Sequence, residues 1–194
     1  MEQKLARIVS RITGPFTVVP LASLYVLFFH TGVDITANVA FDLVFLSAVI
    51  VVPAAILSLF VLQGKVSDVD IRNRKERVPI LAGILPSLWS AVYVAYAFDA
   101  SKMFTYLTLS GALTLTALFI VTFWYKVSLH AAGMTVLFFM VYISQGVVAI
   151  ILFPVLLVVW WARLTLKAHS LQQLVLGTLV PVVIFLTLKP YMLK

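Results

Sequence analysis

The chain contains no cysteine. That excludes disulfides, a thiol nucleophile and thiolate-bound metals, and it leaves the redox compartment undetermined. Charge is scarce as well. Of 194 residues, 14 are Lys or Arg and 7 are Asp or Glu, and 63% of the chain is hydrophobic. A soluble domain is nearer half apolar and a quarter charged. Mean hydropathy is +1.12. No internal repeat, low-complexity segment or RNA- or DNA-binding motif stands out, and no nucleic-acid partner is expected. The net charge of +7 is read instead as a report on topology and anionic lipid.

What the chain does have is a succession of apolar runs. A membrane-spanning helix needs roughly 20 such residues. Spans are predicted at about 15–32, 40–63, 79–98, 103–125, 129–146, 147–166 and 170–189. Ser144, Gln145 and Gly146 give only a weak break between the fifth and sixth. Pro20, Pro53, Pro86, Pro154 and Pro181 fall inside spans, where helices are prone to kink. Residues 2–13, EQKLARIVSRIT, place Leu5, Ile8, Val9 and Ile12 on one helical face, with Lys4, Arg7 and Arg11 off it. That pattern predicts a short interfacial helix. The expected architecture is all-α. Residues 1–194 form a single membrane domain, with an interfacial helix over 1–14 and a bundle of six or seven transmembrane helices over 15–190.

The charges that exist are not spread evenly. KVSDVDIRNRKERVP, residues 65–79, gathers Lys65, Asp68, Asp70, Arg72, Arg74, Lys75, Glu76 and Arg77. With seven spans, this segment shares a face with the N-terminus and with the segments around 126–128 and 163–169. Lys102, Lys189 and Lys194 fall on the opposite face; the other 11 of the 14 Lys and Arg fall on the first. The positive-inside rule then makes the first face cytoplasmic and the location a cell membrane. Taken alone, the 65–79 run needs no other explanation.

Two of the three histidines lie on the same basic face, His130 in KVSLHAAG and His169 in ARLTLKAHSLQQLVLG. His30 lies on the other face with no spaced partner and reads as structural. Cations, two histidines and no acidic cluster suit an anionic substrate such as a phosphate ester. Ionisable groups at membrane depth are costly, which favours function over accident.

These residues resemble the signatures of the type 2 phosphatidic acid phosphatase superfamily, in its integral-membrane branch. Ala162-Arg163, five residues, His169, three residues and Gln173 keep the spacing of that family's Ser-Arg, His and Asp. Val127-Ser128-Leu129-His130 matches Pro-Ser-Gly-His. Arg77-Val78-Pro79 stands for Arg-Pro, and Asp70 occupies the position of the preceding Lys. The resemblance covers about residues 60–180.

It implies metal-free phosphoryl transfer with no cofactor. His169 would attack phosphorus and His130 would serve the leaving oxygen and then water. Arg163 and Arg77 would hold the phosphoryl oxygens, with Ser128 and Lys126 as further donors. Arg74 is the candidate for the missing Lys, with Arg72 and Lys75 behind it. Gln173 stands where the family has an orienting carboxylate; Asp68 and Asp70 are candidates to supply one. The expected function is hydrolysis of a lipid phosphate or diphosphate: a polyprenyl ester, phosphatidate or phosphatidylglycerol phosphate. Two alternatives stay open. One is a lipid-binding or transport protein on the same scaffold. The other is a magnesium-dependent lipid transferase using Asp68 and Asp70, for which the remaining carboxylates are few and mostly on the wrong face.

Overall fold

The structure is a computed structural model that describes residues 1–30, 39–66, 71 and 73–192. Those residues are helical and connecting segments, with no strand among them. In chain order the helices are α1 (Glu2–Ile12), α2 (Pro15–His30), α3 (Val39–Leu46), α4 (Val52–Leu62), α5 (Arg74–Ala97), α6 (Lys102–Thr122), α7 (Leu129–Gln145), α8 (Leu152–Thr165) and α9 (Leu171–Met192). A π-helical turn, Ser47–Val51, joins α3 to α4, and a 3-10 segment, Gly146–Ile151, joins α7 to α8.

Six helical stretches are long and apolar enough to cross a membrane, by length and composition. The longest, Leu129–Thr165, has 37 residues and is a hairpin. Gly146, at φ +64° and ψ −130°, makes the reversal, a conformation open to glycine because it has no Cβ. The start of α7 and the end of α8 consequently lie together, and both meet α1. The weak break expected at Ser144–Gly146 is thus a full turn, and α7 and α8 run back against each other. The π-helical turn has a local cause. The Val52 amide reaches back five residues to the Ser47 carbonyl, and Pro53, just after it, has no amide hydrogen to continue the regular ladder.

The third span begins earlier than expected, at Arg74 rather than near 79. Asn73 caps it: its side chain accepts from the Lys75 amide at 3.1 Å and donates to Glu76 at 3.0 Å. Such a cap satisfies an amide that the helix start leaves open. Arg74 and Arg77 are therefore helical residues, one turn apart.

The two ends of the bundle differ. The end away from the basic segments is an aromatic core. Phe41, Phe45, Phe104, Tyr106 and Phe185 are buried there, with ring pairs such as Phe45–Phe104 at 4.8 Å. The Tyr106 hydroxyl donates to the Phe185 carbonyl at 2.7 Å, so the ring buries its area without stranding its polar atom. The basic end instead buries polar groups: Ser10, Arg77, Thr122, Ser128, His130, Arg163 and His169. The outer surface is apolar, with Leu21, Phe28, Leu43, Leu62, Val147 and Ile150 exposed.

Candidate functional site at the basic end of the bundle

His169 lies in the link between α8 and α9. Lys167, two residues before it, takes a left-handed φ of 49° and ends the α8 run. Ser170 starts α9 with a capping box. Its hydroxyl accepts from the Gln173 amide at 3.4 Å, and Gln173 Oε1 accepts from the Ser170 amide at 3.3 Å. The same Oε1 lies 2.9 Å from His169 Nδ1. A backbone amide only donates, so the Gln173 atom is an acceptor and His169 Nδ1 carries the hydrogen. The lone pair of His169 is therefore on Nε2. That atom is buried and has no hydrogen-bond partner among the described residues.

His169 is 5% exposed, and its pKa is lowered from 6.5 to about 3. Burial is the first cause, followed by the positive charges of Arg77 and Arg163 and, to a smaller extent, Lys126; the Gln173 bond pulls the other way. At neutral pH the ring is uncharged, with its lone pair on Nε2 and the positive charges of Arg77, Arg163 and Lys126 near enough to act on it. The shift has a sign for stability. A histidine depressed by folding resists the proton that the unfolded chain accepts. Stability is fully present above about 6.5 and is lost as pH falls toward about 3. Unfolding in detergent across that window should show the loss, and His169→Gln should flatten that part of the profile. A variant profile that overlays the wild type would contradict the assignment.

Arg77 and Lys126 are fixed by backbone carbonyls, and Arg163 by a serine hydroxyl. Arg77 is 1% exposed. Its Nε donates to the Ile71 carbonyl and its Nη1 to the Val127 carbonyl, both at 2.6 Å. Ile71 holds φ at 45°, a strained value for a β-branched residue, and its carbonyl serves Arg77. Lys126 Nζ donates to the Ala168 carbonyl at 2.9 Å, tying the α6–α7 link to the residue before His169. Arg163, in the last turn of α8, is 0% exposed, and its Nη1 donates to Ser10 Oγ at 2.5 Å.

His130 sits in the first turn of α7. Its Nε2 lies 3.1 Å from the Ser10 carbonyl. A carbonyl only accepts, so this nitrogen carries a hydrogen. Ser128 is the N-cap of α7: its hydroxyl accepts from the Ala131 amide at 3.3 Å, while its own amide donates to the Gln173 carbonyl at 3.2 Å. α9 can approach this closely because residue 177 is glycine. A Cβ there would stand 2.6 Å from the Ser128 carbonyl oxygen.

The bundle thus brings His169, His130, Arg163, Arg77, Lys126, Ser128 and Gln173 to one end, from four separate segments. Arg74 is placed elsewhere. Its guanidinium donates to the Thr122 carbonyl at 3.1 Å and to the Phe123 carbonyl, capping the C-terminus of α6, where a cation is favoured. Lys75 is exposed. Asp68, Asp70 and Arg72 lie outside the described residues. Sequence reasoning missed Ser10, Ser170 and Gly177. The Ser170-to-Gln173 spacing was a legible capping signal; nothing in the sequence pointed to Ser10 or Gly177.

An apolar cavity of about 250 Å³ adjoins the site. It begins at Leu129, His130 and Ile71 and runs between α2, α5, α6 and α7 to Val26 and Met140. Leu129 to Met140 is 11 helical steps, a depth of about 16 Å.

No family model matches this chain, and no curated protein or solved structure matches it. The site must be read from its own chemistry. It offers a neutral imidazole lone pair, three buried or part-buried cations around it, and a second imidazole with hydrogen on Nε2. That set suits an anion with an electrophilic centre.

Proposed function

We propose that the chain is a multi-pass membrane phosphatase that hydrolyses a phosphate or diphosphate ester of a lipid through a phosphohistidine intermediate, without a metal. One observation carries this reading: the buried Nε2 of His169, without a hydrogen-bond partner among the described residues, in a ring oriented by Gln173 and under the positive charges of Arg77, Arg163 and Lys126. A buried lone pair without a donor is a costly arrangement that packing alone does not require. The motif resemblance to the type 2 phosphatidic acid phosphatases points the same way.

In this reading His169 Nε2 attacks phosphorus, and the P–O bond to the lipid breaks. Developing charge on the phosphoryl oxygens falls to Arg77, Arg163 and Lys126. His130, entering the step as an imidazolium with hydrogen on both ring nitrogens, gives its Nε2 proton to the leaving lipid oxygen and is left neutral, so the lipid departs as an alcohol, or as a monophosphate if the substrate is a diphosphate. Neutral His130 then takes a proton from water, whose oxygen attacks the phosphohistidine. Phosphate leaves and His169 is regenerated. The lipid tail would occupy the apolar cavity beside His130. Little polar surface is available for a large soluble substrate.

Gln173 sets the limits of this chemistry. It orients His169 but adds no negative charge to stabilise an imidazolium or phosphohistidine, and this favours a second reading, a lipid-binding protein on the same scaffold. Gln173→Asp separates the two. A carboxylate there raises the His169 pKa, so turnover should rise while an acidic limb moves up into the measurable range of the kcat/KM profile. An inert variant would favour the binding reading.

The primary test is phosphate release from a panel of lipid phosphates in detergent with EDTA present. Release that survives the chelator supports the phosphatase; release that requires added magnesium would support a metal-dependent transferase instead. The basic end is assigned to the cytoplasmic side of a cell membrane on the positive-inside rule. Single cysteines in place of Lys75 and Lys102, both exposed, test this in a cysteine-free background. Labelling of position 75 from outside intact cells would reverse the orientation.

A further inference from the structure

The N-terminal helix has two unlike faces. Ala6 and Ser10, one turn apart, are buried against α8. Leu5, Ile8 and Ile12 are 53%, 55% and 62% exposed, and Lys4, Arg7 and Arg11 are exposed beside them. The uncovered apolar stripe continues onto Phe16 and Leu21 of α2, which are also exposed. Glu2 is the one acidic residue of the helix. An apolar stripe with three flanking cations, continuous with the apolar flank of a bundle, fits the headgroup boundary of an anionic bilayer.

The inner face ends in the site. Ser10 Oγ accepts from Arg163 Nη1 at 2.5 Å and lies 3.4 Å from His130 Nε2. The Ser10 carbonyl accepts from the same His130 nitrogen at 3.1 Å. One residue of α1 therefore touches the guanidinium at the end of α8 and the imidazole at the start of α7. α7 and α8 pack on each other as a hairpin, and Ser10 is a contact that Arg163 and His130 share across its open end.

We propose that α1 is a bilayer-seated clamp on the site: its outer face rests in an anionic membrane surface, and through Ser10 its inner face positions Arg163 and His130 for a phosphate group. This rests on the reading of the site as phosphate-binding. Ser10 is a positioning residue here and takes no part in bond making. Seating α1 in the bilayer holds Ser10 against both partners; loss of seating lets α1 lift, and the two groups lose their common reference.

The test uses the full chain in lipid nanodiscs of phosphatidylcholine, alone or mixed with phosphatidylglycerol. An environment-sensitive dye on Ile8→Cys reports seating without any catalysis. Its emission should shift to the blue when phosphatidylglycerol is present, and Lys4→Gln/Arg7→Gln/Arg11→Gln should abolish the shift. Inorganic phosphate is the site probe. Wild type should bind it about ten-fold more tightly in the anionic discs, the scale of one charge-assisted hydrogen bond kept or lost. Ser10→Ala should keep the dye shift and lose that response, and Ser10→Thr, which retains the hydroxyl, should restore it. A dye signal equally polar in both discs overturns the proposal, as does a Ser10→Ala chain that responds like wild type. If wild type binds no phosphate in either disc, the phosphate-site reading falls, and the clamp with it.

Discussion

His169→Ala is expected to abolish phosphate release from every lipid phosphate the wild type hydrolyses, a loss of about four orders of magnitude or more, as when a covalent nucleophile is removed. The protein should still fold. The lost ring is neutral and buried, and its Nε2 makes no hydrogen bond among the described residues, so no partner is stranded there. Arg77 and Lys126 keep their backbone anchors at Ile71, Val127 and Ala168, and Arg163 keeps the Ser10 hydroxyl. Inorganic phosphate should therefore bind to the variant about as well as to wild type. The loss should fall on kcat, with KM little changed. Release at the wild-type rate would exclude His169 as the nucleophile.

The second large effect lies at a residue with no chemistry. Gly177→Ala places a methyl 2.6 Å from the Ser128 carbonyl oxygen and 3.4 Å from Ser128 Cβ. Backbone is the obstacle, so α9 must shift away from the α6–α7 link. That motion separates Gln173 and His169 from Ser128 and His130, since the Ser128-to-Gln173 backbone bond of 3.2 Å spans the same seam. Overpacking of this kind costs about 2 kcal/mol, and a misplacement on the order of 1 Å costs about 100-fold in rate. Both should appear together, in detergent unfolding and in kcat/KM. Gly83→Ala, outside the apolar cavity, is the control. Its nearest neighbour would be Ile56 Cγ2 at 3.4 Å, an ordinary contact, so stability and rate should hold. Normal behaviour of Gly177→Ala would mean that α9 does not seat against Ser128.

The fold was largely legible because spans are long and their signal is averaged over many residues. Predicted and observed helices agree within a few residues, apart from the start of α5, where the Asn73 cap extends the helix through Arg74 and Arg77, and the start of α8, where the 3-10 segment Gly146–Ile151 comes first. The grouping of His130, His169, Arg77 and Arg163 was legible for a different reason. Each lies next to a span end, and alternation of passes assigns those ends to one face without any knowledge of packing. Finer placement was not legible. Arg74 and Arg77 differ by one turn and read alike in sequence, yet one caps α6 and the other faces His169. Which of them turns inward depends on where α6 ends, a tertiary fact. Ser10 is a small polar residue on a helix whose apolar stripe draws attention to the opposite face. Gly177 is one of 8 glycines, and only the position of a neighbouring carbonyl marks it out. Gln173 was read as an uncharged residue at the position of an orienting carboxylate. Its capping box with Ser170 gives the amide a local structural role, and the same oxygen fixes the tautomer of His169.

The central claim is a covalent bond between phosphorus and His169, and it can be measured directly. Wild type is mixed with a lipid phosphate carrying radioactive phosphorus, with EDTA present, and quenched in alkali, which preserves a phosphohistidine, whereas acid hydrolyses it. The account predicts acid-labile label confined to the peptide that contains His169, absent in His169→Ala and discharged by time in water. Steady turnover with no labelled peptide, or label on His130 instead, would contradict it.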